Sequence, residues 1–208
     1  MSANSAGTLY YTHNLNPRVA VAVARHLDAP VTFRRVDPMG ADRAEIIELN
    51  PNSFAPVLVE DGREPLWETD AIAFRLSNNA GGSFWPVERH EEMLRWISWS
   101  AHHFTLAGST FYFENIIVPQ FMGRDPDTRL LESTGHDFRR FAGILDKTLR
   151  DREWLVGDRL TYADFRVASA LPFAERAQLP LDEFPNVKAW HDHLWAIDAW
   201  RAPFAGLA

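Results

Sequence analysis

The spacing of apolar residues changes once along the chain. Up to about residue 78, short β-branched and aromatic runs alternate with helical stretches. From residue 87 onward only the helical period remains. Residues 8–12 (TLYYT) predict a first strand, and period two turns one of Tyr10 and Tyr11 toward the core. The polar turn His13-Asn14-Leu15-Asn16 leads into a helix expected over 18–27, with Pro17 suited to its first turn. Arg18, Arg25 and His26 read as the solvated face of that helix. A second strand is expected over 31–36 and a short helix over 44–49. The crossover between the two strands makes their pairing parallel.

The densest local signal is NPNSFAPVLVEDGREPLWETDAIAFRLSN, residues 50–78. It predicts a strand over 57–60, a tight turn at Asp61-Gly62, a strand over 64–67 and a helix opening at Glu68-Thr69-Asp70. Pro56 directly before a strand fixes φ and removes one donor from the sheet edge. The N–H and C=O of Ala55 are thereby left for something other than the sheet, such as an extended peptide. The first amides of the following helix have no intrahelical acceptor, so its mouth suits a ligand carboxylate.

Asn78 to Pro86 (NNAGGSFWP) clusters Asn, Gly, Ser and Pro and marks a domain boundary, with domains expected at 1–80 and 81–208. A long helix follows over 87–117, with Gly108 a candidate break and Pro119 its end. Most of its aromatics (Trp96, Trp99, Phe104, Phe111, Tyr112, Phe113) are expected in the core. A second helix over 128–150 should pair with it as an antiparallel neighbour in a bundle. Thr161 and Asp164, three apart before an apolar run, form a capping box with Asp in place of Glu.

Composition narrows the chemistry. A net charge of −7 disfavours a nucleic-acid partner, and no apolar run approaches the length of a membrane span. MSANSAGT at the start reads as a tail rather than a targeting segment. The absence of cysteine removes disulfides, thiolate nucleophiles and the mixed-disulfide route, and fits a cytoplasmic setting. Eight histidines are present, but His102-His103 and His191/His193 do not share a helix face as ligands would, so no metal is expected. Neither a Gly-x-Ser-x-Gly element nor a Gly-rich phosphate loop occurs, which sets aside a hydrolase triad and nucleotide binding.

Four ordered elements together resemble the cytosolic glutathione transferases, bacterial members included. They are Ala55-Pro56 with its hairpin, Glu68-Thr69 opening a helix, Gly157-Asp158-Arg159-Leu160-Thr161-Tyr162-Ala163-Asp164, and Phe184-Pro185-Asn186-Val187 followed by Ala189-Trp190. The resemblance implies a thioredoxin-like α/β domain of order βαβαββα, followed by an all-α helical bundle. It implies a cis Pro56, with glutathione lying along Ala55 and its γ-glutamyl end held at Glu68 and Thr69. Arg43, with Arg34 and Arg35, falls where the family supplies a cation for the glycyl carboxylate.

The family keeps a Tyr, Ser or Cys that hydrogen-bonds the sulfur in the loop after the first strand. Here the matching position is Asn16, whose amide can donate to a thiolate without ionising. Asn16 is equally suited to capping the helix, and Thr12, Asn14, Tyr10 and Tyr11 are competing donors. The resemblance also brings in His102 or His103 as a group beside the sulfur, against a bundle histidine with a solvated tip. The expected activity is conjugation of glutathione, as co-substrate, to a small hydrophobic electrophile. It would be carried out by a cytoplasmic homodimer in detoxification, with Asn16, Thr12 and His103 as candidate catalytic groups. The alternative is a glutathione-binding or scaffold relative of the elongation-factor-gamma kind. Asp164 is expected to serve folding rather than chemistry.

Overall fold

The computed structural model describes residues 7–207. The leading residues 1–6, which hold most of the expected tail, and Ala208 lie outside them. The chain divides into two compact units, one reaching to Trp85 and taking back the segment from Asp198, the other running from Pro86 to Ile197. The division therefore falls five residues beyond the expected boundary at residue 80, and the C-terminal segment groups with the α/β unit.

In the α/β unit, β1 (Gly7–Tyr11) is followed by α1 (Leu15–His26), β2 (Val31–Arg35), α2 (Arg43–Leu49), β3 (Val57–Val59), β4 (Leu66–Trp67) and α3 (Thr69–Asn79). The sheet order is β2-β1-β3-β4, with β1 and β2 parallel and the remaining pairs antiparallel. This is the βαβαββα order predicted from the sequence. Leu9, Tyr11, Val57 and Leu58 are buried in the sheet, with Ile72, Ala73 and Leu76 buried on α3. Tyr11 is the inward tyrosine, while the Tyr10 hydroxyl donates to Glu45 Oε1 at 3.3 Å.

The β3–β4 hairpin is wider than expected. Pairing is limited to Val57 with Trp67 and Leu58 with Leu66, because Pro65 has no N–H to extend the ladder. Asp61-Gly62 still forms the turn, with Gly62 at φ +71° and Arg63 N–H donating to Glu60 O. Helix α1 begins earlier than predicted, so Pro17 lies within its first turn.

In the helical unit, α4 (His90–Trp99) runs through a π-helical stretch, Ser100–Phe104, into α5 (Thr105–Tyr112) and a second π-helical stretch, Phe113–Met122. Gly108 is not a break. A side chain there would come within 2.7 Å of the Ala170 Cβ, so the glycine permits close helix packing. Nor does Pro119 end the run, which continues to Met122 in the widened turns where a missing N–H is tolerated. Trp96, Phe104, Phe111 and Tyr112 are buried, while Phe113 is exposed. Then come α6 (Thr128–Leu149), α7 (Tyr162–Val167), α8 (Ala174–Ala177) and α9 (Pro185–Trp195). Helix α6 buries Phe138, Ala142, Leu145 and Leu149 at helical spacing. No helix of the described residues is long and apolar enough to cross a membrane.

The short α10 (Asp198–Arg201) lies in the segment that returns to the first unit and packs on α1. This overturns the expectation for Arg18, which is only 4% exposed rather than solvated; Arg25 and His26 are half-buried. The Arg18 guanidinium lies over the Trp200 ring at 4.6 Å and donates to the Trp200 carbonyl, and Arg25 donates to the Ala205 carbonyl. Burial lowers Arg18 to about 10, so it stays charged at neutral pH.

The capping box is present in both directions. Asp164 is fully buried and accepts from Leu155 N–H (2.9 Å), Thr161 N–H (2.9 Å), the Thr161 hydroxyl (3.1 Å) and Trp190 Nε1–H (3.1 Å). Burial raises its carboxyl to about 6, and the four donors oppose that rise. Asp164→Asn turns an amide NH2 toward groups that are all donors, which should cost about 1–3 kcal/mol in urea unfolding. A raised folded-state pKa favours the native state when the group is protonated. The contribution is complete below the unfolded value of 3.8 and lost as pH rises through about 6. The stability lead of the unaltered chain over Asp164→Asn should therefore widen as pH falls from neutral to about 4.

Candidate functional site

The candidate site is at one end of the sheet, where the chain leaves β1 and re-enters at β3. Antiparallel pairing stops at Tyr10 with Val57, so continuing the register sets Thr12 beside Ala55. The Ala55-Pro56 bond is cis, as the resemblance implied. The ladder does not use Ala55, which is half-buried, and Pro56 is buried beneath it. This is also the carboxyl end of the parallel pair, where crossover folds leave a crevice for ligands.

Helix α3 brings its N-terminus to the same place. The Thr69 side chain is buried, and its hydroxyl donates to the Asn16 carbonyl at 3.1 Å, across 53 residues of sequence. Glu68, the residue before the helix, is exposed and has φ +72° and ψ 125°, a backbone state that non-glycine residues rarely adopt. Its side chain makes no capping bond to the helix, which leaves the first amides of α3 without a side-chain acceptor from that position.

In the loop after β1 the cap is Asn14, not Asn16. Asn14 Oδ1 accepts from Leu15 N–H at 2.7 Å, and Asn16 falls inside the first turn of α1. Asn16 is exposed and Thr12 half-buried. The structure therefore brings together Thr12, Asn16, Ala55, Pro56, Glu68 and Thr69. Of the basic candidates, Arg34 is committed to Glu45, to which it donates through both terminal nitrogens, and to the face of Tyr10 at 5.2 Å. Arg35 and Arg43 are exposed and make no ion pair among the described residues. His103 belongs to the helical unit, where its ring lies 4.8 Å from Phe141; His102 Nδ1 is 2.8 Å from the Ser98 carbonyl. No group of three or more potential metal ligands occurs among the described residues.

The chain is similar to known proteins in fold and in part of its sequence. Residues 112–198 match the model of the glutathione S-transferase C-terminal domain. Glutathione S-transferase F13 of Arabidopsis thaliana is 27% identical over 169 residues, which cover 77% of this chain and 76% of that one. The structure of glutathione S-transferase-I bound with lactoylglutathione superposes with a TM-score of 0.85 at 21% identity, over 98% of this chain and 99% of that one. The chain therefore has the fold of the glutathione S-transferase structures, and within it residues 112–198 match that family's C-terminal domain. Human Elongation factor 1-gamma is also similar, 27% identical over 195 residues that cover 89% of this chain. The chain spans 43% of the length of that protein.

One residue at this end of the sheet whose surroundings its own neighbourhood does not announce is His13. It was read only as part of a polar turn, yet its ring stacks on Phe204 at 4.3 Å and lies 6.0 Å from Tyr11. Phe204 in turn stacks on Tyr11 at 5.5 Å. No local signal in the sequence joins residue 13 to residue 204; the contact arises because the C-terminal segment returns to the α/β unit.

Thr69→Val keeps the volume of the side chain and removes its hydroxyl. The loss of the bond to Asn16 should lower stability by about 1 kcal/mol, read as a shifted urea midpoint with an unchanged slope.

Proposed function

We propose that this chain binds glutathione at the end of the sheet and conjugates its thiolate to small hydrophobic electrophiles. The observation that carries this reading is the convergence of three segments remote in sequence: the loop after β1, the unused edge at Ala55, and the mouth of α3, tied together by the Thr69–Asn16 bond. An extended tripeptide lying along Ala55 would exchange backbone hydrogen bonds with it, as a further strand does. Its γ-glutamyl carboxylate would sit at the first amides of α3, beside Thr69 and the Glu68 carboxylate, which can take the ligand's ammonium. Arg43 and Arg35 are the cations open to the glycyl carboxylate. The protein's contribution to rate would come from positioning and from stabilising the thiolate, with no covalent intermediate on the chain.

Likeness to the glutathione S-transferases supports a homodimer, and the α/β unit has surface to offer one: Phe54 is 62% exposed and Phe74 39%. The same reading makes the role a detoxifying one in the cytoplasm. A second reading is favoured by the similarity to Elongation factor 1-gamma and by a first loop without Ser, Cys or an available Tyr. In that case the chain is a glutathione-binding or scaffold module without turnover.

Titration calorimetry with glutathione, paired with conjugation of an activated aromatic halide, separates these. The proposal predicts saturable binding with one site per chain, turnover, and affinity reduced by roughly tenfold in Thr69→Val. Binding without turnover selects the second reading, and absence of binding removes both.

A further inference from the structure

Helix α1 carries the candidate site at its first turn, and its last turn, roughly 15 Å along the axis, faces a second recess. An open groove of about 680 Å³ runs between the end of α1, the start of β2 and the returning C-terminal segment, all within the α/β unit. Phe33 forms one wall, and its ring meets Tyr11 edge-on at 6.5 Å. Ala24, Ala29, Ala199, Ala202 and Ala205 line much of the rest with methyl groups, which leaves the space open. The size is that of a small-molecule site, and an apolar wall with a few charged groups is the usual chemistry of one.

Four charged side chains face the groove, and they are not equivalent. Asp198 and Arg201, three residues apart on α10, pair with each other. Arg25 and Asp28 are also three apart, with Asp28 N–H donating to the Arg25 carbonyl at 3.2 Å, yet neither makes an ion pair among the described residues. The Arg25 guanidinium is held in place by its bond from Nη2 to the Ala205 carbonyl and by the Phe33 ring, 5.8 Å away. Its Nε–H is enclosed without an acceptor, so the group has more donors than partners. Asp28 is exposed, at a φ of +46° just past the helix. A simple anion would be drawn to Arg25 and repelled by Asp28, and a simple cation would meet the reverse. A ligand that carries both charges on neighbouring atoms satisfies both side chains.

We propose that this groove binds a free α-amino acid with an apolar side chain. The ligand carboxylate accepts from the Arg25 guanidinium, its ammonium donates to the Asp28 carboxylate, and its side chain lies on Phe33 among the alanine methyls. No covalent bond is made or broken. The groove is at the opposite end of α1 from the turn that Thr69 grips, so its occupancy stands apart from the glutathione reading.

Titration calorimetry of the full chain with L-phenylalanine tests this, beside three analogues that each lack one feature. 3-Phenylpropionate has no ammonium, 2-phenylethylamine no carboxylate, and glycine no apolar side chain. We expect one saturable site for L-phenylalanine and at least roughly tenfold weaker binding of each analogue. Asp28→Asn preserves the backbone, because Asn accepts a positive φ readily. It should weaken L-phenylalanine by about tenfold and leave 3-phenylpropionate no weaker. Ala202→Phe, at an exposed position, fills the groove and should abolish binding with the urea midpoint in place. 3-Phenylpropionate binding as tightly as L-phenylalanine would make the groove an anion site and overturn the assignment, as would L-phenylalanine that fails to saturate at millimolar concentration. The γ-glutamyl end of glutathione carries the same head group, so competition separates the two sites. L-phenylalanine that glutathione displaces and that Thr69→Val weakens belongs to the end of the sheet, and that result also overturns the assignment. Glutathione binding that Asp28→Asn leaves unchanged, while L-phenylalanine weakens, supports it.

Discussion

One hydroxyl, that of Thr69, joins the first turns of two helices that start on either side of a sheet edge. Its bond to the Asn16 carbonyl is buried at its donor end, where an unmade bond would cost more than a made one contributes. Around it the rest of the α/β unit falls into place. Helix α1 must begin where β1 ends, α3 must begin where β4 ends, and both N-termini must come to the edge that Pro56 closes to the ladder. The sheet supplies the frame, but this contact decides that the loop, the proline and the helix mouth share one location.

Both units are organised around buried polar groups with specified partners, which is how a core keeps a charge inside at tolerable cost. In the helical unit Asp164 gathers four donors from three separate segments. It thereby sets the start of α7 and its packing against Trp190. In the α/β unit Arg18 has no carboxylate beside it among the described residues. It uses instead the Trp200 carbonyl and the face of the Trp200 ring. These contacts make the C-terminal segment part of the α/β unit, and through Phe204 they reach the loop at His13.

What was legible in the sequence, and what was not, follows from the range of each interaction. The βαβαββα order, the helical second half and the Thr161–Asp164 box were readable from local pattern, whereas the cis bond at Pro56 was implied only by the resemblance to the glutathione transferases. The widened hairpin follows from Pro65, whose missing N–H shortens the ladder while Asp61-Gly62 keeps the turn. Gly108 was misread because the same residue serves as a helix breaker or as a close-approach site, and only the facing Ala170 decides which. Arg18 and His13 were beyond local reading altogether. Their surroundings come from residues some 180 or 190 positions later, and nothing in their own neighbourhoods announces burial or stacking.

The candidate site is the place where this matters most. Thr69, Glu68 and Ala55 could be named from motif and propensity, and the structure sets them at one end of the sheet; Asn16 is there too, but the capping role it shared in the sequence belongs to Asn14. The most direct measurement of the central claim is a glutathione titration followed by the backbone amide resonances of the α/β unit. A cradle formed by the sheet edge and the mouth of α3 predicts that the amides of Ala55, Thr69 and Asp70 shift first and saturate together. Shifts confined to other surfaces, or none at millimolar ligand, would contradict it.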